Sequence, residues 1–306
     1  MSNTKVKKAV SKKLTVFHIE GGIGKHVAAT AAISAYKKSN PYRDIVVVCA
    51  WPEVFLGNDD ISRIYRLGNV PYFYEDFIYD KDVEVFAHDP YRQSSHITKK
   101  KHLAETWCDL FGVKYNGEKP KIHFNLRERD LVDPQLAQIE KTKPLLIFQP
   151  FGGPGQEHQP HNYSWVRDIH PNIAQQLVNA LSEKYIILHV CYDFHPNLEN
   201  AIRFEKQCSK KELFNLLRYS DKRLLIDSAL QHAAAAMNLP STVVWVGTSP
   251  NQFGYKLHNN ILPIKSFPAG HVDSYLYDYN FTGQVYECPY QDFTEIHSVE
   301  SILKNF

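Results

Sequence analysis

The chain has 306 residues, 43% of them hydrophobic and 22% charged, with 35 Lys+Arg against 33 Asp+Glu. That balance describes a globular α/β-sized chain and excludes disordered, collagenous and disulfide-scaffold classes. The charge is uneven: residues 1–143 carry 23 Lys+Arg and 18 Asp+Glu, residues 144–306 carry 12 and 15, so the halves are +5 and −3. Lys5, Lys7, Lys8, Lys12 and Lys13 account for the amino-terminal excess. A basic arm of this kind suits a polyanion such as DNA, and it equally suits a solvated tail. No apolar run reaches the roughly 18 residues of a membrane span, and the basic start leads only into a short apolar stretch, so no signal peptide, anchor or membrane insertion is expected. Cys49, Cys108, Cys191, Cys208 and Cys288 are odd in number with no C-x-x-C, which predicts reduced thiols and a cytoplasmic location.

In chain order, Leu14 to Ile19 reads as a strand and Gly21-Gly22-Ile23-Gly24 as a turn into a helix, with Val27, Ala28, Ala31, Ala32 and Ala35 at helical spacing. Glycines at such a junction let backbone amides face an anion or a hydroxyl. E-G-G-I-G-K-H is close to a deviant P-loop. Glu20 and His26 replace its leading Lys and its metal-binding Ser/Thr, so ATPase chemistry is hard to assemble there. Asp44 to Ala50 is the second strand and Ile61 to Arg66 a short one. The aromatics Tyr72, Phe73, Tyr74, Phe77 and Tyr79 suit core packing or stacking on a base or sugar. Asp80-Lys81-Asp82 is formally D-x-D, but it lies in a charged turn before the strand Val83 to Phe86 and is read as surface, with no metal expected. The following loop, His88-Asp89-Pro90-Tyr91-Arg92, sets a carboxylate beside a His and an Arg and is the better catalytic candidate, although a capped loop with a local ion pair would look the same. Lys99-Lys100-Lys101 precedes an amphipathic helix from His102 to Phe111. Lys121 to Phe124 reads as a strand, Pro134 to Glu140 as a helix and Lys141 to Lys143 as a linker.

Pro144 to Phe148 opens a second domain as a buried strand, followed by the loop Gln149-Pro150-Phe151-Gly152-Gly153-Pro154-Gly155. His158-x-x-His161 has metal-like spacing, but its prolines argue for a loop. A helix from Asn172 to Lys184 and a strand from Tyr185 to Val190 follow, with Tyr192 at the strand's end a candidate nucleobase contact. The densest signal is LLIDSALQHAAAAMNLPSTVVWVGTSP, Leu224 to Pro250: a strand, a turn at Asp227-Ser228, an alanine-rich helix and a second strand from Thr242 to Val246. This βαβ unit puts the turn at the carboxyl end of a parallel strand, where α/β sheets bind ligands and a helix start can receive a phosphate. A purely structural reading has Asp227 and Ser228 cap the helix and His232 pack. Asp292 to Lys304 has helical spacing.

The run D-S-A-L-Q-H-A-A-A-A-M-N-L-P followed by G-T-S-P resembles the donor-binding signature of the ADP-heptose lipopolysaccharide heptosyltransferase family (glycosyltransferase family 9-like), with Ala229 where the family has Gly. The resemblance extends upstream through Ser209 to Leu213 and more weakly over the amino-terminal half. It implies an α/β GT-B fold of two Rossmann-like domains facing across a cleft. Residues 1–143 would form the acceptor-side domain, 144–285 the nucleotide-sugar domain, and 286–306 a helix crossing back to the first. Donor binding then falls to Gly152, Gly153, Arg167, Tyr192, Asp227, Ser228, Ala229, Gln231, His232 and Thr248, with Arg167 standing in for a family lysine that aligns near Tyr163. Gly22, Gly24, Lys25 and His26 would face the acceptor. Lys25 occupies the place of the family's proposed base, an Asp, which leaves Asp89 and Glu20 as contenders. The donor would be a UDP- or ADP-sugar, with no cofactor and no metal. The chain also resembles glycosyltransferases of T4-like phages, so the expected acceptors are a hydroxymethylated pyrimidine in phage DNA or a cell-envelope saccharide. A P-loop-like ATPase and a non-catalytic binding module are the alternatives of other classes.

Overall fold

The computed structural model describes residues 13–130, 134–152, 165–205, 209–265 and 290–306. Two all-parallel sheets organise them. The first has β1 (Lys13–Ile19), β2 (Asp44–Cys49), β3 (Arg63–Arg66) and β4 (Asp82–Phe86) in the order β3-β2-β1-β4. The second has β5 (Leu145–Phe148), β6 (Ile186–Cys191), β7 (Ile202–Glu205), β8 (Lys222–Ile226), β9 (Thr242–Val244) and β10 (Asn259–Ile261), in the order β10-β9-β8-β5-β6-β7. Each sheet winds outward both ways from its first strand, so strand order reverses between β1 and β4 and again between β5 and β8. In open α/β sheets such reversals open a crevice at the carboxyl ends of the strands.

The helices are α1 (Ile23–Ser39), α2 (Phe73–Phe77), α3 (Ser94–Ile97), α4 (Leu103–Leu110), α5 (Leu126–Asp130), α6 (Pro134–Ala137), α7 (Pro171–Leu181), α8 (Lys210–Tyr219), α9 (Ala229–Ala236), α10 (Pro250–Phe253) and α11 (Val299–Leu303). None among the described residues is long and apolar enough to cross a membrane. Buried from Lys25 to Tyr36, α1 shows no exposed polar stripe over that span, because α4 and α9 both pack on it and Tyr36 reaches Thr15 of β1. The alanines of α1 and α9 let the two axes approach. One apolar core therefore runs through both domains, from Phe17, Ala28 and Ala32 to Ala233, Leu217, Ile147 and Trp245. A second core fills the other face of the second sheet, beneath α7.

Several expected elements form differently. Lys121 to Phe124 is not a strand. Its backbone is held by side chains instead: Lys121 N donates to Thr30 Oγ1 at 2.8 Å and Lys211 Nζ to the carbonyl of His123. From His123 onward the chain already lies against α8, where Asn215 and Tyr219 donate to the carbonyls of Glu128 and Arg129. The edge strand β7 went unread because four residues with one fully buried side chain give little period. Of the carboxyl-terminal segment, residues 290–306 are described, and they pack on the second domain. Ile302 enters the core beneath α7, Phe293 stacks on His170 at 3.8 Å and Phe306 meets Tyr185. The apolar face of this segment is satisfied by the second domain.

Candidate functional site

At the first reversal, β1 ends in the glycine turn and β4 in the loop carrying Asp89. Gly21 sits at φ +93°, a conformation that L side chains resist, and its carbonyl accepts from Trp51 Nε1 at 3.0 Å. Gly22 is the N-cap of α1, with no side-chain cap and no acidic residue in the first turn, so the positive end of the helix is not neutralised by its own sequence. His26 is wholly buried. Its Nδ1 lies 2.9 Å from the carbonyl of Gly22 and its Nε2 3.1 Å from that of Ile19, with Ala50 N 3.2 Å from the same Nε2. Burial pulls its pKa down to about 4, against the two backbone carbonyls that raise it. His26, expected on the acceptor side, thus holds the glycine turn from inside through these contacts.

Lys25 is also buried, and its Nζ reaches Asp89 Oδ1 at 2.8 Å with the Tyr91 ring 4.4 Å away. The same Oδ1 accepts from Tyr91 N at 2.9 Å, capping a 3-10 turn over Pro90–Arg92. Glu20, the other contender for the base, is exposed at the end of β1 and meets His18 Nε2 at 3.2 Å.

The second reversal gathers most of the residues expected on the donor side. Ser228, at the N-cap of α9, does not cap it; its Oγ donates to Gln149 Oε1 at 2.8 Å, joining the ends of β8 and β5. The amides of the first turn are thus left without a side-chain acceptor. Asp227 is buried beside Thr248, Arg167 and Gln231, and burial raises its pKa to about 6 against the opposing pull of those three. Arg167 lies flat on Gly152, where an added methyl group would come within 2.6 Å of its Cζ. Its charge also acts on Tyr192, whose hydroxyl is pushed up by burial. The amide of Gly152 faces inward and donates to Asp168 Oδ1 at 2.9 Å; the glycine makes room for the guanidinium rather than offering its own N–H. Gly153, His158, His161 and Tyr163 lie outside the described residues.

The two reversals meet. A methyl group on Gly24 would lie 2.8 Å from His232 Cδ2 and 3.3 Å from the Cα of Ala229, so the starts of α1 and α9 abut across the domain boundary. His232 Nδ1 is 2.8 Å from the hydroxyl of Tyr255, and burial, with the charges of His102 and His258, lowers its pKa to about 3. Beside it, Gln252 Nε2 donates to the carbonyl of His96 at 2.7 Å, and Gln231 Nε2 to that of Phe253 at 3.0 Å. His96, His102, Gln149, Gln252 and Tyr255 carry no local motif, and only their position in the fold brings them here.

Among the described residues no group of three or more His, Cys, Asp and Glu has metal-site geometry. Asp80 and Asp82 stand at the amino end of β4, the opposite end of the sheet from the crevice, and Asp82 pairs with Arg43 at 3.4 Å. Of the Lys99 to Lys101 run, Lys101 is held by Asp109 at 2.7 Å and Glu105 at 3.5 Å, and burial lowers the pKa of Lys99.

No family model and no curated protein matches the chain. Solved structures do. A glycosyl transferase family 9 protein from Veillonella parvula is 12% identical with a TM-score of 0.67, over 97% of this chain and 96% of that one. The ADP-heptose lipopolysaccharide heptosyltransferase II of E. coli is 12% identical at TM-score 0.58, over 86% of this chain and 98% of that one. The iron-containing dodecameric glycosyltransferase TibC from E. coli is 13% identical at 0.66, over 96% of this chain and 75% of that one. The fold is GT-B.

Proposed function

We propose that this protein is a glycosyltransferase. The second domain holds a nucleotide-sugar donor and the first presents an acceptor hydroxyl to its anomeric carbon. The observation that carries this reading is the meeting of two strand-order reversals at Gly24, Ala229 and His232, with both helix starts lacking side-chain caps. Opposed positive helix ends, with Arg167 beside one of them, form an environment for a diphosphate. In the reaction the acceptor oxygen bonds to the anomeric carbon as the bond from that carbon to the diphosphate oxygen breaks. The electron pair leaves with the nucleoside diphosphate, stabilised by amides and cation, and a carboxylate takes the hydroxyl proton. Fold neighbours named for ADP-heptose transfer place an ADP-sugar first among donors to test, and no cofactor is invoked.

For the acceptor we favour a saccharide. A DNA acceptor calls for basic groups free to meet phosphates; of the Lys99 to Lys101 run, Lys101 is already paired with two carboxylates, Lys99 is partly buried and Lys100 is exposed, and Lys5, Lys7, Lys8 and Lys12 lie outside the described residues. The test offers UDP-, ADP- and GDP-sugars together with envelope saccharides and hydroxymethylated DNA, and reads donor affinity by calorimetry and added mass on the acceptor. Mass added to a saccharide supports the reading as stated. Transfer only to DNA keeps the glycosyltransferase and removes the saccharide, and binding of none of these donors removes both.

A further inference from the structure

The ion pair at the first strand-order reversal does more than hold a loop. We infer that Lys25 is a positioning residue that locks Asp89 as the base of the transfer reaction, an inference that rests on the glycosyl-transfer reading above.

The geometry is one-sided in a useful way. Both contacts to the Asp89 carboxylate, Lys25 Nζ at 2.8 Å and Tyr91 N at 2.9 Å, fall on Oδ1. Oδ2 carries no hydrogen bond among the described residues, on a side chain that is 41% exposed, while the lysine opposite is 6% exposed. One oxygen is thus anchored in the protein and the other is left to solvent and substrate. The anchor is itself rigid. The Lys25 stem packs against Gly21, where an added methyl group would be 3.2 Å from Cδ, and its ammonium rests over the Tyr91 ring.

The loop is also tied to the donor domain. Tyr91 stacks on His96 at 5.2 Å and meets the edge of Phe253 at 5.9 Å, and the carbonyl of His96 accepts from Gln252. The carboxylate is therefore referenced to both domains, as a group must be if it deprotonates an acceptor held by one domain while that acceptor attacks a donor held by the other. Glu20 lacks this support: its side chain is 69% exposed and its ion pair is to His18 on its own strand. In the step assigned here, Asp89 Oδ2 receives the acceptor's proton as the acceptor oxygen bonds to the anomeric carbon and the nucleoside diphosphate departs with the electrons of the broken bond. Lys25 transfers no proton and keeps the carboxylate in place.

Lys25→Met keeps most of the stem and removes the ammonium, leaving an exposed carboxylate that water can solvate. It separates the roles better than Asp89→Asn, which strands a buried charge. The assay is release of nucleoside diphosphate from ADP-heptose, UDP-glucose and GDP-mannose, with water or a saccharide as acceptor, alongside donor affinity by calorimetry. The expected result for Lys25→Met is a kcat reduced by about 100-fold, the usual cost of a misplacement near 1 Å, with donor affinity within about twofold of the parent and partial recovery in Lys25→Arg. Asp89→Glu, which keeps a carboxylate opposite Lys25 and whose fold is checked by its thermal melt, should also lose kcat and keep donor affinity. The inference is overturned if either variant keeps the parent kcat, or if the loss in Lys25→Met follows donor affinity as a merely structural role would require. If the parent protein binds no donor, or binds without turnover, the glycosyl-transfer reading itself fails; an active parent with an equally active Lys25→Met removes only the role of Lys25.

Discussion

Acid should unfold this protein well above the pH at which carboxylates protonate, because five histidines are held neutral in the folded chain. His26, His96, His102 and His297 are lowered from an ordinary 6.5 to about 4 and His232 to about 3, in each case first by burial. A histidine whose folded pKa is depressed contributes stability that is complete above its unfolded value and is lost as pH falls from about 6.5 toward 4. Near pH 5.5 the unfolded chain holds about 0.9 proton on each and the folded chain almost none, so the five take up about 4.4 protons on unfolding. Asp227 acts in the opposite sense: raised to about 6 by burial, it holds a proton when folded that the unfolded chain releases, about 0.7 at this pH. The balance of about 3.7 protons gives a slope of about 5 kcal/mol per pH unit, against a total stability of about 5–15 kcal/mol. Urea melts followed by tryptophan fluorescence between about pH 7.5 and 5 measure that slope directly. His297→Gln, which keeps a donor for the carbonyl of Trp245, should reduce the slope by about one quarter. A slope under about 1.4 kcal/mol per unit between pH 6 and 5, less than one proton, would refute the picture of neutral buried histidines.

Gly24→Ala should destabilise the protein by about 1 kcal/mol or slightly more, because overpacking of about 1–3 kcal/mol against His232 and the backbone of Ala229 outweighs a helix-propensity gain of about 1. Gly22→Ala has nothing within 4 Å of the added group and should melt within about 0.5 kcal/mol of the parent. A Gly24→Ala protein more stable than its parent would mean that the two helix starts are not in contact. On the proposed reading, in which Arg167 and the helix starts stabilise the leaving diphosphate, excess EDTA should leave glycosyl transfer intact; activity abolished by EDTA and restored by manganese would show that a metal supplies that charge instead.

The residues that sequence placed well are those whose signal is local. In β5, four consecutive apolar residues buried on both faces read as an interior strand without knowledge of their neighbours. The run from Leu224 to Val244 declared strand, turn, helix and strand within about twenty residues, because each period and stop signal acts over a few positions. The same locality explains what stayed open. Ser228 looked like a cap, but its hydroxyl turns to Gln149, 79 residues away, and that choice exists only once β8 lies beside β5. The carboxyl-terminal helix showed an apolar face but not what would cover it, and α7 of its own domain does so.

What tertiary structure alone decided is concentrated where the two domains meet. The sequence determined that a glycine would open α1 and an alanine α9; only the packing of those helices makes Gly24 the residue that must lack a side chain. Lys25 and Asp89 are 64 positions apart, and Gln252 and His96 are 156 apart. No periodicity connects them. They come together because β4 pairs with β1 and the second domain docks on α1, and that strand order and docking are fixed by the apolar surface of the whole chain, which a local pattern of residues does not encode.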